Sequence, residues 1–230
     1  MKKLVLIPLI SFLVACQSTD TSSLGVAGNL PTHSFTNAKT VQEIRDLKPQ
    51  VKPPINIAIL PSNRWQGFSA GEVKLIEKWG EKLKATGFVK TFKMVPKSLT
   101  PSCGYKSDDD CFINQSRIAG ARLGADAILF LNESTYTESY ANFSSILNLT
   151  IVGMWVVPAH HKYSYSRYEA SLFDIDNGYL YATSEGLGEH KYIRPFMYAE
   201  NSVSQNYARL EALNNLGEKL LKMAKENMAP

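Results

Sequence analysis

Chemistry in this chain of 230 residues would have to come from few groups, among them three cysteines and four histidines. A thiol can carry an acyl chain, join a second thiol or bind a metal, and an imidazole can bind a metal or move a proton. Cys103 and Cys111 are separated by seven residues, which is not the C-x-x-C spacing of a redox or zinc pair. His160 and His161 are adjacent, and neighbours on an extended chain point opposite ways, so the pair is poorly placed to share one metal. They follow Pro158 and are expected in an exposed turn, while His190, beside Glu189, is expected in a polar loop. Asp108-Asp109-Asp110 lacks the D-x-D-x-D-G alternation of a calcium loop and reads as a solvated turn. Asp174 and Asp176 flank Asn177-Gly178 and read as turn hydrogen-bonders. No G-x-S-x-G, H-E-x-x-H, Walker A or G-x-G-x-x-G motif occurs. The expectation is a non-enzymatic protein with no catalytic residue, metal or cofactor.

Tyrosine supplies a different chemistry. Tyr163, Tyr165, Tyr168, Tyr179, Tyr181, Tyr192 and Tyr198 crowd a short span. Tyr163 and Tyr165 would share one face of a strand, as would Tyr179 and Tyr181. Such residues either pack across strands or, being both apolar and hydrogen-bonding, form a face for a protein or glycan. Tyr163, Tyr165, Tyr179 and Tyr181 are the candidate partner-binding face.

The third cysteine carries the address. Lys2 and Lys3 precede an apolar run, Leu4 to Val14, too short to span a bilayer and typical of an export signal. Leu13-Val14-Ala15-Cys16 resembles the lipobox of bacterial lipoproteins. The resemblance implies cleavage before Cys16 and acylation of its sulfur. Gln17, in place of Asp, implies sorting to the outer membrane. The expected protein therefore touches membrane through its lipid and faces the periplasm. With Cys16 acylated, Cys103 and Cys111 remain, and an oxidising compartment is expected to pair them. So short a ring would stabilise by ~2–3 kcal/mol.

Composition is that of an ordinary globular chain: 44% hydrophobic, 20% charged, formal net charge +4. Lys2 and Lys3 would leave with the signal, and no Lys/Arg cluster argues for nucleic acid. The chain divides into a signal at 1–15, a lipidated tether at 16–54 rich in Ser, Thr, Gly and Pro, and a domain at 55–230. A short helix is expected within the tether at Thr40 to Leu47.

The elements that must position these groups follow from periodicity. Ile55 to Leu60 reads as a buried strand, and Ser69 with Glu72 forms a capping box for a helix carrying Val73, Ile76 and Leu83 inward with Trp79 beside that stripe. Phe88 to Val95 is expected as a strand. Phe112 to Leu123 is expected as a helix with Ile113, Ile118, Ala119 and Leu123 inside. Ala125 to Leu131 runs on as a strand through Thr135 to Tyr140, and Ile146 to Val157, apolar on both faces, reads as a further strand buried in the sheet. Tyr163 to Ile175 and Tyr179 to Thr183 flank a hairpin turn at Asp176-Asn177-Gly178. A loop rich in glycine and charge follows. Ser202 then caps a final helix with Val203, Tyr207, Leu210, Leu213, Leu220 and Ala224 as its buried stripe. The order implies an α/β (α+β) fold: a single mixed sheet with helices mainly on one face.

Thr150 to Pro158 and Ala170 to Ile175 resemble segments of the rhombotarget lipoproteins. Ile57 to Pro61 and Gly124 to Leu129 resemble the wider TolB N-terminal-like set, which includes the curli secretion channel lipoprotein and lipoproteins that activate peptidoglycan synthases. The resemblance covers roughly 55–225. It implies a TolB N-terminal-like domain and an association with a rhomboid-type protease system; the expected role of the chain is that of a binding or adaptor protein in envelope assembly. The alternatives are a subunit of an oligomeric secretion pore, with residues 134–157 inserting as a hairpin, and a periplasmic enzyme.

Overall fold

The computed structural model describes residues 40–61, 67–100 and 109–226. Five strands form one sheet: β1 (Ile55–Pro61), β2 (Val89–Met94), β3 (Ala127–Ala141), β4 (His160–Asp174) and β5 (Leu180–Arg194), in the order β2-β1-β3-β4-β5. β1 is parallel to both β2 and β3, and β3, β4 and β5 run antiparallel. The helices are α1 (Val41–Asp46), α2 (Ala70–Ala85), α3 (Asp109–Arg122), α4 (Ile151–Val156) and α5 (Asn201–Glu226). This is the expected mixed α/β architecture.

Alternation along the strands divides the core. Ile57 and Ile59 of β1, with Leu129 and Leu131 of β3, point to α2 and α5 and meet Ile76, Trp79, Leu83, Leu213 and Leu216. Ala58, Leu60, Ile128 and Phe130 point the other way and meet Phe112 and Ala119 of α3. Two long helices thus cover one face and one covers the other.

β1 stops pairing with β3 at Pro61 and Leu131, but β3 pairs with β4 as far as Ala141 and His160. Beyond residue 131 the sheet is a three-stranded blade projecting roughly 33 Å at a strand's rise per residue. α5 follows the blade on one face because two glycines let it. A Cβ on Gly186 would lie 2.1 Å from the Ala212 carbonyl oxygen, and one on Gly188 2.3 Å from that of Ala208. Glycine here permits close helix-on-strand packing.

Several expectations are corrected. The glycine-rich segment after Thr183 is the continuation of β5, and His190 lies in that strand. Ile146 to Val157 is a 3-10 turn (Phe143–Leu149) followed by α4, not a strand. β3 and β4 pair with each other in unbroken register up to this connection, which leaves it capping the end of that pair. Thr150 instead caps α4, its Oγ1 accepting from Gly153 N at 2.9 Å. Ile118 and Tyr207 are exposed and Leu210 is half-buried. α5 buries small residues, Ser204, Ala208 and Ala212, because it lies so close to β5. α5 starts at Asn201, leaving Ser202 inside the helix, and α3 begins at Asp109, which puts Asp109 and Asp110 in a helix instead of a turn.

Candidate functional site: the open face of the blade

The expected capping box on α2 is present: Glu72 Oε2 accepts from Ser69 N at 2.6 Å, and Ser69 Oγ accepts from Glu72 N at 3.4 Å. Glu72 is only 1% exposed, however, and its other oxygen accepts from Tyr168 Oη at 2.5 Å and pairs with Arg209 Nη2 at 2.9 Å. Arg209 Nε lies 3.5 Å from Glu133 Oε1. Burial, then the Glu72 charge, holds the Tyr168 phenol far above its ordinary range. This network closes the core where the blade begins. The Ser-x-x-Glu spacing showed only its cap, since the partners are far along the chain.

The candidate tyrosines divide between two places. Tyr181 Oη donates to Asp174 Oδ2 at 2.6 Å and accepts from Val51 N at 2.9 Å and Gln50 N at 3.2 Å. Burial, then Asp174, pushes its phenol up to about 12. It lines an apolar cavity of about 370 Å³ with Leu83, Leu129, Leu172 and Leu220. Tyr179 meets Tyr181 edge-on at 5.3 Å. This pair latches the entering chain at the base of the sheet, and no single four-tyrosine face exists.

Tyr163 and Tyr165 lie on the blade, on the face opposite α5. Their rings meet edge-on at 4.4 Å. Register brings others beside them: Tyr136 is opposite Tyr165, Glu138 opposite Tyr163, and Tyr140 opposite His161. On the other flank Lys191 is opposite Tyr163 and Glu189 opposite Tyr165. Tyr163 Oη donates to Glu189 Oε2 at 2.9 Å, and Lys191 Nζ stands 5.9 Å from the Tyr163 ring. The hydrogen bond with Tyr165, then that with Glu189, holds the Tyr163 phenol well above its usual range, so it stays a donor. Tyr165 is 42% exposed and Tyr140 is also exposed. No described helix covers this face. Tyr136 and Tyr140 were absent from the expected set, although their spacing of two from Glu138 shows that they share its face.

The remaining candidates fall as follows. His160 and His161 open β4 instead of forming an exposed turn. Their Nε2 atoms meet Asn148 Nδ2 at 3.0 Å and Asn142 Nδ2 at 3.3 Å, and His161 stacks on Tyr140 at 4.6 Å. His190 stacks on Tyr207 at 4.6 Å. Asp174 Oδ1 accepts from Asp176 N at 2.8 Å, so it shapes the turn as expected, and Gly178 takes φ +75° there. Cys111 lies in α3. Cys16 and Cys103 lie outside the described residues, and the expected Cys103–Cys111 pair with them. Among the described residues no three His, Cys, Asp or Glu side chains converge on a metal position. Among the same residues, no helix is long and apolar enough to cross a membrane.

No family model matches the chain, and no curated protein matches it either. Solved structures similar to it include a candidate lipoprotein of Caulobacter crescentus, 11% identical over 76% of this chain and 93% of that one, with a TM-score of 0.36. A PelC dodecamer of Paraburkholderia phytofirmans is 12% identical over 74% and 93%, with a TM-score of 0.29. A HAM1 protein of Coxiella burnetii is 11% identical over 75% and 99%, with a TM-score of 0.34.

Proposed function

We infer that this chain is a non-enzymatic lipoprotein of the bacterial envelope, held by acylated Cys16 at the outer membrane and facing the periplasm. There the blade presents its open face to a protein partner in envelope assembly. The observation that carries the partner reading is the Tyr136–Tyr140–Tyr163–Tyr165 face. It is a rigid, half-exposed aromatic surface flanked by Glu138, Glu189 and Lys191, on strands held from behind by α5. Aromatic side chains with a polar tip bury much area at little entropic cost, and they concentrate at protein interfaces. The address rests on Leu13-Val14-Ala15-Cys16, and the same compartment would oxidise Cys103 and Cys111.

A photo-crosslinking residue placed at Tyr165 in intact cells tests the partner reading. A discrete adduct is expected at Tyr165 and not at Tyr181, which is tucked beneath Gln50 and Val51. Equal capture from both positions, or none from Tyr165, would sink it. The address has its own test: the native protein is expected to carry acyl mass on Cys16, and Cys16→Ser to lose it.

A further inference from the structure

The connection between β3 and β4 forms the far tip of the blade and carries a dense run of exposed apolar side chains. From Asn142 to Ala159 there is no charged residue. Phe143 is 90% exposed, Leu149 84% and Ile151 76%, with Val152, Trp155 and Val156 exposed beside them. A contiguous apolar surface of this kind marks a contact.

We propose that this tip rests in the interfacial region of a lipid bilayer, as a second membrane contact beside the acyl anchor. The proposal takes from the functional reading only that a membrane is at hand; it needs no protein partner. Shape is the first support. The tip is a projecting knob, and a fluid bilayer needs no matching pocket to receive one. α4 has six residues, about 9 Å of helix against ~30 Å of hydrocarbon, so the tip lies in the surface and does not span it.

Hydrogen bonding is the second support, because lipid tolerates only backbone that satisfies itself. Ser145 N donates to Asn142 O at 2.9 Å, Thr150 N to Leu147 O at 3.0 Å, Met154 N to Thr150 O at 3.2 Å and Val157 N to Gly153 O at 3.0 Å. Asn142 and Thr150 side chains cap the two turns. A Cβ on Gly153 would lie 1.8 Å from the Leu147 carbonyl oxygen, so glycine lets the helix fold tightly onto the turn before it.

The border of the patch is the third. Trp155 meets Tyr198 edge-on at 5.7 Å, the aromatic pairing found where apolar meets wet. Nearest behind it stand Arg194, the last residue of β5, and Lys162, two residues past the start of β4. His160 and His161 precede Lys162 on β4, the Glu200 charge reaches Tyr192 as that of Arg194 does, and Glu138, Lys191 and Glu189 lie further along the strands. Arg194 and Lys162 offer cations to phosphate headgroups, with the Glu200 carboxylate nearby.

Reach is the fourth. The chain enters at the opposite end of the sheet, where Asn177 Nδ2 donates to Lys48 O at 2.7 Å and Gln50 N to Asp174 Oδ2 at 3.2 Å. β4 puts the tip roughly 46 Å from that point. Residues 17–39 can span up to roughly 80 Å. A domain tied down at Cys16 can therefore lay its tip on the same bilayer.

The test uses the full chain in vesicles of phosphatidylethanolamine and phosphatidylglycerol with brominated acyl chains. Bromine is expected to quench Trp155, and Trp155→Phe to lose that quenching, leaving the signal of Trp65 and Trp79. In a Cys16→Ser background, Leu149→Asp with Val152→Asp is expected to lower vesicle binding by about tenfold or more. The unfolding midpoint is expected to hold, since both side chains are exposed. Vesicle-bound protein whose Trp155 is unquenched overturns the proposal, as does shielding of Trp155 by self-association without lipid. Failure of the anchor reading appears separately, as native Cys16 without acyl mass while Trp155 is still quenched.

Discussion

The two ends of the sheet obey different rules though the same strands run through both. At the base, Ala127 to Leu131 is buried on both faces because α2 and α5 lie on one side and α3 on the other. Along the blade the same strand becomes progressively more open after Asn132, with Thr137 buried and Glu138 and Tyr140 exposed, since only α5 backs it. A strand's composition thus records how many of its faces have neighbours. The base is built to hold together and has its charges locked inside. The blade uses that rigidity to display tyrosines on one face and apolar side chains at its tip.

The comparison breaks most sharply at the network between the two halves. Glu72→Ala leaves Arg209 without its closest carboxylate and Tyr168 without its acceptor. It is expected to cost about 3–5 kcal/mol in urea unfolding. A cost below 1 kcal/mol would show that base and blade do not depend on that junction. Gly188→Ala comes next. Its Cβ would meet the Ala208 oxygen and the Ala212 nitrogen at 2.3 Å, so α5 must lift from the blade. A loss of about 1–3 kcal/mol is expected, with amide exchange rising in β5 ahead of β1. Uniform loosening of both strands would erase the distinction between the halves.

The smallest expected effect is at the tip. Burial, then the charges of Lys162 and His161, holds His160 below its ordinary value of 6.5. The unfolded chain therefore takes up this proton first. The stability His160 lends is complete above pH 6.5 and is lost as pH falls through the lower folded value. Protection factors over residues 142–160, corrected for the intrinsic exchange rate at each pH, are expected to fall below pH 6.5 while those of β1 are unchanged. His160→Gln is expected to remove the dependence.

What was legible in the chain was local. Ser69 and Glu72 announced the start of α2, Gly87 and Gly124 with φ of 80° and 67° ended their helices, and Asp174 to Gly178 shaped a turn. The blade's tyrosines were half visible, because a period of two puts Tyr163 with Tyr165 on one face but cannot tell which strand lies alongside.

The sequence by itself determined where β1 to β4 run and where β5 begins, most helices and the mixed α/β class, because backbone preference and the alternation of apolar residues act between near neighbours. Only the tertiary structure decided that Gly186 and Gly188 mark a helix lying on a strand, that Ile146 to Val157 folds as a cap outside the sheet, and that Tyr181 and Tyr165 serve different ends. Each of those outcomes depends on atoms brought together from distant parts of the chain, and local preference carries no record of which distant atoms those are.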